Sequence, residues 1–367
     1  MKLRSRVLLS VLALGTACAR VAAADDGTVL ALMERVADWQ LAHPKLEKGE
    51  GKPDGWVNGA FYTGVMALAR DSASPRFHDA MMKMAEANQW RPAVRVYHAD
   101  DHAVTQTYLD LYLRHREPRM LAPTQERFDF ILAHRAVTPL DFDKQKNPKS
   151  QERWSWCDAL FMSPPAWARL WKVTGDQRYL DFAIEEWWFT SDYLYDKEEH
   201  LYFRDSTLFA KREANGKKIF WGRGNGWVMG GLVRMLELLP ADHAARPRFE
   251  QQFREMADKV VTLQQADGFW RASLLAPEHY PMQETSGTGF YTYALAWGVN
   301  HGLLNRAKFE PAVRKAWAAL ASCVNADGKL THVQPIGFTP VTFDPESTEP
   351  FGVGAFLLAG SEVRRLP

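Results

Sequence analysis

Trp154-Ser-Trp-Cys-Asp158 sets one carboxylate among aromatic rings, directly ahead of the apolar run Ala159-Leu-Phe-Met162. A carboxyl group with so little water around it favours its neutral form and can hold a proton near neutral pH. Aromatic faces beside an acid also suit the apolar faces of a sugar ring. A lone Trp-x-Asp reads equally well as a helix N-terminal acid beside ordinary core aromatics, so its meaning depends on what else the chain offers.

Three further segments bear on it. His98-Ala-Asp-Asp-His102 opens a helical pattern that runs to Tyr112. One of its two acids suits a helix N-cap. A metal cluster is disfavoured, because sequence neighbours point apart on a helix, no His-x-x-x-His pair accompanies them, and no acid-rich partner segment is evident. Phe220-Trp-Gly-Arg-Gly-Asn-Gly-Trp227 alternates three glycines ahead of a helix. That pattern predicts backbone amides open to an anion, and Arg223 adds a fork that matches a carboxylate. It is a poor phosphate loop, since no strand precedes it and no Gly-Lys-Ser/Thr closes it. Met282-Gln-Glu-Thr-Ser-Gly-Thr-Gly289 brings hydroxyls for sugar contacts, although capping by Thr285 or Ser286 explains it nearly as well.

The elements that must position these groups are helical. Apolar residues recur at helical spacing over 29–41, 60–70, 76–88, 104–114, 123–135, 165–172, 178–190, 227–238, 247–264, 288–301, 311–324 and 352–364. Short punctuated turns separate them, among them Thr174-Gly-Asp176, Gln265-Ala-Asp-Gly268 and Asn325-Ala-Asp-Gly328. The best strand signal is a short hairpin of Tyr193–Tyr195 with Leu201–Phe203. A weak repeat of helix, turn and aromatic restart recurs roughly every 45 to 70 residues, as stacked helical hairpins require. About a dozen helices with no domain-breaking linker predict one all-α domain over 25–367, a closed double ring of about six hairpins in preference to an open solenoid. Closure would gather the hairpin junctions, where the chemical motifs sit, around a pocket.

Lys plus Arg number 45 and Asp plus Glu 44, with no basic stripe, so nucleic acid is an unlikely partner. Of the 14 Trp, 20 Phe and 11 Tyr many must fill a core, but a carbohydrate site would use several. Met1-Lys-Leu-Arg-Ser-Arg6, an apolar stretch and Ala22-Ala-Ala24 read as an export signal over 1–24, giving a periplasmic or secreted enzyme. Cys18 follows a poor lipobox, which leaves lipidation there the lesser alternative. No other stretch is long and apolar enough for a membrane span. Cys157 and Cys323 are too few and too far apart for a disulfide framework and are expected as buried thiols.

Trp156-Cys-Asp158-Ala-Leu-Phe-Met162 in register with Trp221-Gly-Arg-Gly-Asn-Gly-Trp227 resembles glycoside hydrolase family 105, the unsaturated rhamnogalacturonyl and glucuronyl hydrolases, kin to family 88. Trp56-Val-Asn-Gly59, the Asp100-Asp101 pair, Glu284-Thr-Ser-Gly287 and Gly354-Ala-Phe-Leu-Leu-Ala-Gly360 extend the resemblance over nearly the whole mature chain. It implies an (α/α)6 barrel, no cofactor and no metal. The implied substrate is an oligosaccharide carrying a 4,5-unsaturated uronic acid at its non-reducing end, and the implied reaction is hydration of the C4=C5 enol ether.

On the residues that match, Asp158 is the implied proton donor and later base, and a second acid falls on Asp100 or Asp101, with the spacing to Tyr112 favouring Asp100. Trp56, Asn58, His98, Trp156, Met162, Arg204, Trp221, Arg223, Trp227, Thr285 and Ser286 complete the expected substrate surround. Some relatives carry a pocket histidine where this chain reads Leu201-Tyr-Phe-Arg-Asp205, so Arg204 or Asp205 stands in its place and the aglycone stays open between rhamnose-linked and arabinogalactan-derived sugars. Two other readings remain: a polysaccharide lyase on the same barrel, using Tyr97, His98 and Arg223, and a non-catalytic exported sugar-binding protein. Oligomeric state is not legible, and a monomer or small homo-oligomer is expected.

Overall fold

The computed structural model describes residues 26–46 and 51–366. The expected leader and Cys18 lie outside the described residues. Six helices form an inner ring: α2 (Trp56–Asp71), α4 (Thr105–His115), α7 (Pro164–Thr174), α9 (Gly222–Leu236), α11 (Thr285–Asn300) and α13 (Pro350–Val363). Each touches the next in that order and α13 returns to α2, so the ring is closed. Six more lie outside it: α1 (Asp26–Ala42), α3 (Arg76–Ala87), α5 (Pro118–Ala133), α8 (Gln177–Leu194), α10 (Arg246–Thr262) and α12 (Arg306–Ser322). One short helix, α6 (Ala159–Met162), precedes α7. The chain is an (α/α)6 barrel, as the helical count and the resemblance both predict.

Residue type decides which ring a helix joins. In α13 every residue is buried, and α11 is buried over Thr285–Val299, so neither has a face for solvent. The outer α3 instead buries Phe77, Met81 and Ala85, one stripe at helical spacing, and α10 buries Phe249, Phe253, Met256 and Val260 in the same way. Inner helices also pack backbone to backbone. A Cβ added to Gly64 would lie 2.5 Å from the Gly354 carbonyl oxygen, so only glycine allows that approach. Early residues of neighbouring inner helices meet one another, Gly226 with Gly287 and Gly289 with Ala355, so these helices run parallel and present their N-termini at one end.

Several boundaries differ from the periodicity reading. α9 begins at Gly222 rather than Trp227, so the alternating glycines are its first turns and not a loop before it. α5 starts at Pro118, an N1 proline whose fixed φ suits a helix start, and carries Pro123 inside. α12 starts at Arg306 with Pro311 inside. The hairpin pairs β1 (Tyr195–Asp196) with β2 (Leu201–Tyr202), while Tyr193 stays within α8.

Candidate active site

The N-terminal end of the inner ring gathers the chemical motifs. Asp158 stands at the N-terminus of α6 in helical conformation, and its carboxylate caps no amide. It is 8% exposed, receives the Cys157 thiol at 3.3 Å on Oδ1, and has Arg204 Nε 3.9 Å from Oδ2. Burial raises its pKa, against the lowering effects of Arg204, the Cys157 thiol and Arg223. The helix-capping reading of this acid is thereby removed, and a poorly solvated carboxyl facing one cation is left. A side chain at position 224 would press on Cys157 Sγ at 3.1 Å and Trp221 at 3.0 Å, which is why a glycine of α9 lies there.

Arg204 is held in place from three sides. Its Nη1 donates to Asp205 at 2.7 Å, and Asp205 also accepts from the Thr207 amide and hydroxyl. Its guanidinium lies near the rings of Phe142 and Phe338, with Cζ 4.6 and 5.7 Å from their centroids. Its Nε, on the Asp158 side, has no hydrogen-bond partner. Burial works to lower the Arg204 pKa, but Asp158 and Asp205 outweigh it and hold the side chain charged.

The structure separates the acid pair. Asp101 accepts the Arg95 backbone amide at 2.6 Å and the Arg95 guanidinium at 2.9 and 2.5 Å, an arrangement that fastens the 93–101 segment. Asp100 turns instead toward His98, with Oδ2 3.7 Å from Nδ1. The His98 ring packs on Trp156 at 4.8 Å, and burial pulls its pKa down to about 3, so it stays neutral. His102 is a core histidine, bonded to Ser163 and the Val96 carbonyl. Among the described residues no group of three or more His, Cys, Asp or Glu is placed to hold a metal ion.

Two cavities mark the ends of the ring. One of about 270 Å³ lies at this end between Trp56, Ala93, Arg95 and Asp101. A larger one, about 550 Å³, lies at the opposite end among Arg70, Arg114, Arg169, Arg234 and Glu362. There the C-termini of the inner helices converge and late-turn arginines offset their dipoles, so the larger of these two cavities is not at the pole that holds the chemical motifs.

The family model described as Glycosyl Hydrolase Family 88 matches residues 24–367. The chain belongs to Glycosyl Hydrolase Family 88. It is 42% identical to an unsaturated 3S-rhamnoglycuronyl hydrolase of Formosa agariphila, over 92% of this chain and 90% of that one. A glycosyl hydrolase family 88 structure from Bacteroides vulgatus is 31% identical with a TM-score of 0.83, covering 93% of this chain and all of that one. A solved structure named as a polysaccharide lyase is 33% identical with a TM-score of 0.82, covering 93% and 97% of the two chains.

Within this family 88 barrel, several expected sugar contacts are turned elsewhere. Arg223 is fully buried, and its two Nη atoms donate to the carbonyls of Gln334 and Pro335 at 2.6 and 2.8 Å. Stacked on Trp221 and Phe351, with burial pulling its pKa down to about 10, it fastens the 334–335 turn instead of offering its fork to a uronate. Asn58 spends its amide on the carbonyls of Lys45, Gly51 and Lys52. Thr285 donates to the Thr331 carbonyl, and Ser286 to Glu284. The cap of α11 is Glu284, which accepts the amides of Ser286 and Gly287, in place of the hydroxyl cap expected. Trp221 donates to Gln334, while Trp227 packs among Phe161, Phe290 and Trp56 and Met162 is 1% exposed, so all three are walls of the core. Trp156 is 2% exposed between His98 and Phe142, and Trp56 reaches the rim cavity at 9% exposure.

Sequence reasoning missed Cys157 as a donor to Asp158, Asp205 as the clamp on Arg204, and the two phenylalanines around that arginine. Cys157 was legible, being adjacent to the acid. Phe142 and Phe338 lie on irregular segments with no periodic signal. As expected, both described cysteines are buried free thiols, and no described helix is long and apolar enough to cross a membrane.

Proposed function

We propose that this enzyme removes a 4,5-unsaturated uronic acid from the non-reducing end of lyase-generated oligosaccharides. The observation that carries the reading is Asp158, a buried carboxyl that caps no helix, has a raised pKa and sits 3.9 Å from an oriented arginine. Protonated Asp158 gives its proton to C4 of the enol ether, and the positive charge that develops falls on C5 and the ring oxygen. Water adds at C5, and the Asp158 carboxylate takes its proton, so one residue serves as acid and then as base. The C5 hemiketal opens to a ketone, and the hemiacetal left at C1 releases the aglycone. Asp100, beside neutral His98, is the second acid of the site. Arg204 is the anchor for the substrate carboxylate, which is bonded to C5 and so must lie next to any group that protonates C4.

The name of the Formosa agariphila relative, an unsaturated 3S-rhamnoglycuronyl hydrolase, supports a rhamnose aglycone. Export through residues 1–24 belongs to the same proposal, and cell fractionation tests it. The first experiment follows ultraviolet absorbance with unsaturated uronate–rhamnose disaccharides, where the enzyme should abolish the conjugated signal. The likeness to a solved structure named as a polysaccharide lyase favours a second reading, lyase activity on this barrel. Intact polysaccharide would then gain the signal and the disaccharide would keep it.

A further inference from the structure

We infer that Phe338 is the surface on which the sugar next to the uronate stacks, and that it sets the aglycone preference. The inference rests on the proposed hydrolase reading and deepens it. Phe338 is 62% exposed, with Ile336 and Val341 of the same segment also exposed at 44% and 42%. Large apolar side chains left in water on one short loop need a reason, and a nearby ligand supplies one.

Its position is fixed relative to the reacting centre. The Phe338 ring is 5.7 Å from Arg204 Cζ, and Arg204 Nε is 3.9 Å from Asp158. A uronate whose carboxylate meets Arg204 and whose C4 meets Asp158 lies beside Phe338, which is exposed enough to meet the sugar attached at C1. The other ring on Arg204, Phe142, is half-buried and tied to Ser206 through its backbone amide, whereas Phe338 is exposed and is the ring open to a sugar.

The loop is rigid at its base, which suits a binding surface rather than a loose flap. Gln334 accepts Trp221 Nε1 on its side-chain oxygen and donates from Nε2 to the Thr339 carbonyl, spanning the loop that carries Phe338. Its amide donates to Glu284, and the Arg223 guanidinium holds the carbonyls of Gln334 and Pro335. The glycine-rich segment of α9 thus serves specificity through this loop. Phe338 is oriented before substrate arrives, so little ordering entropy is spent when a sugar stacks on it. The apolar patch of Ile336 and Phe338 favours a 6-deoxy sugar, which presents a methyl group where a hexose presents a hydroxymethyl.

The test compares two substrates in wild type, Phe338→Ala and Phe338→Trp. One is the unsaturated uronate–rhamnose disaccharide; the other is the methyl glycoside of the same unsaturated uronate, which has no second sugar. The ratio of kcat/KM for disaccharide over methyl glycoside should fall roughly tenfold in Phe338→Ala and return to within about twofold of wild type in Phe338→Trp. A ratio that stays within about twofold in Phe338→Ala, or a fall that Trp does not restore, overturns the assignment. Failure of wild type to consume either substrate is a different result: it removes the hydrolase reading, and the inference with it.

Discussion

Replacing Arg204 by Met should move the pH dependence of the reaction in a direction the geometry dictates. Arg204 Nε lies 3.9 Å from Asp158 Oδ2, and both side chains are largely buried. Unit charges about 4 Å apart at an effective dielectric near 20 interact by about 4 kcal/mol. A third of that, about 1.4 kcal/mol, corresponds to about one pH unit. Arg204 favours ionised Asp158, whereas the first step needs the neutral acid, so activity falls as pH rises through the titration of Asp158. Removing the cation lets the acid keep its proton longer, and the descending limb of kcat/KM shifts to higher pH. Asp205, left without its partner, pushes in the same direction, and Arg204→Met/Asp205→Asn separates the two contributions. In the wild-type complex the substrate carboxylate plays the part of the mutation by pairing with Arg204. The limb of kcat, which reports the complex, should therefore lie above that of kcat/KM, which reports the free enzyme. In Arg204→Met KM rises, and both limbs lie above their wild-type positions, since the substrate carboxylate is then left unneutralised beside Asp158. Initial rates by loss of absorbance across acid to mildly alkaline pH measure all of this. A limb that stays in place, or moves down, refutes both the charge coupling and Asp158 as the titrating acid.

Asp158→Asn should lower kcat by about a thousandfold or more with the fold intact. Because burial raises the folded-state pKa of Asp158, ionising it costs stability as pH rises past its unfolded value. The Asn variant should therefore match or exceed the wild-type Tm at neutral pH, and a lower Tm there contradicts the sign. Asp100→Asn should act on kcat/KM with little change in Tm. Asp101→Asn should cost about 1–2 kcal/mol of stability by weakening the carboxylate that accepts the Arg95 amide and guanidinium, a modest figure because Arg95 is partly exposed. A reversal of those two results would reassign the second acid. Arg223→Ala should lose about 3 kcal/mol or more, since the Gln334 and Pro335 carbonyls lose a charged donor and the buried guanidinium leaves a void. An unchanged Tm with a raised KM would return Arg223 to the substrate.

What the sequence made legible was chemistry whose cause is local. The rings around Asp158 are two to four residues away, so its desolvation could be anticipated from the string alone. The barrel was legible for a related reason: each helix writes its own period, and closure follows once no helix can be left with an exposed apolar wall. Direction was not legible. Arg223 has the right type beside the right glycines, yet its fork is claimed by carbonyls 111 and 112 residues further on. No local pattern announces that the 334–335 turn will come to rest there. Thr285 went the same way, its hydroxyl taken by the Thr331 carbonyl 46 residues on, while Asn58 and Ser286 are claimed by near neighbours, the 45–52 carbonyls and Glu284. The aromatic content speaks more for packing than for a sugar site, for a physical reason too. A double-walled barrel must fill the layer between its walls with large side chains, and Trp167, Trp187 and Trp297 do so at 1% exposure or less. The 14 tryptophans therefore speak mainly for the wall. The aromatic that the mouth leaves in water is Phe338, on an irregular loop, where composition carries no signal and only the carbonyls and amides that pin Gln334 reveal that its place is fixed.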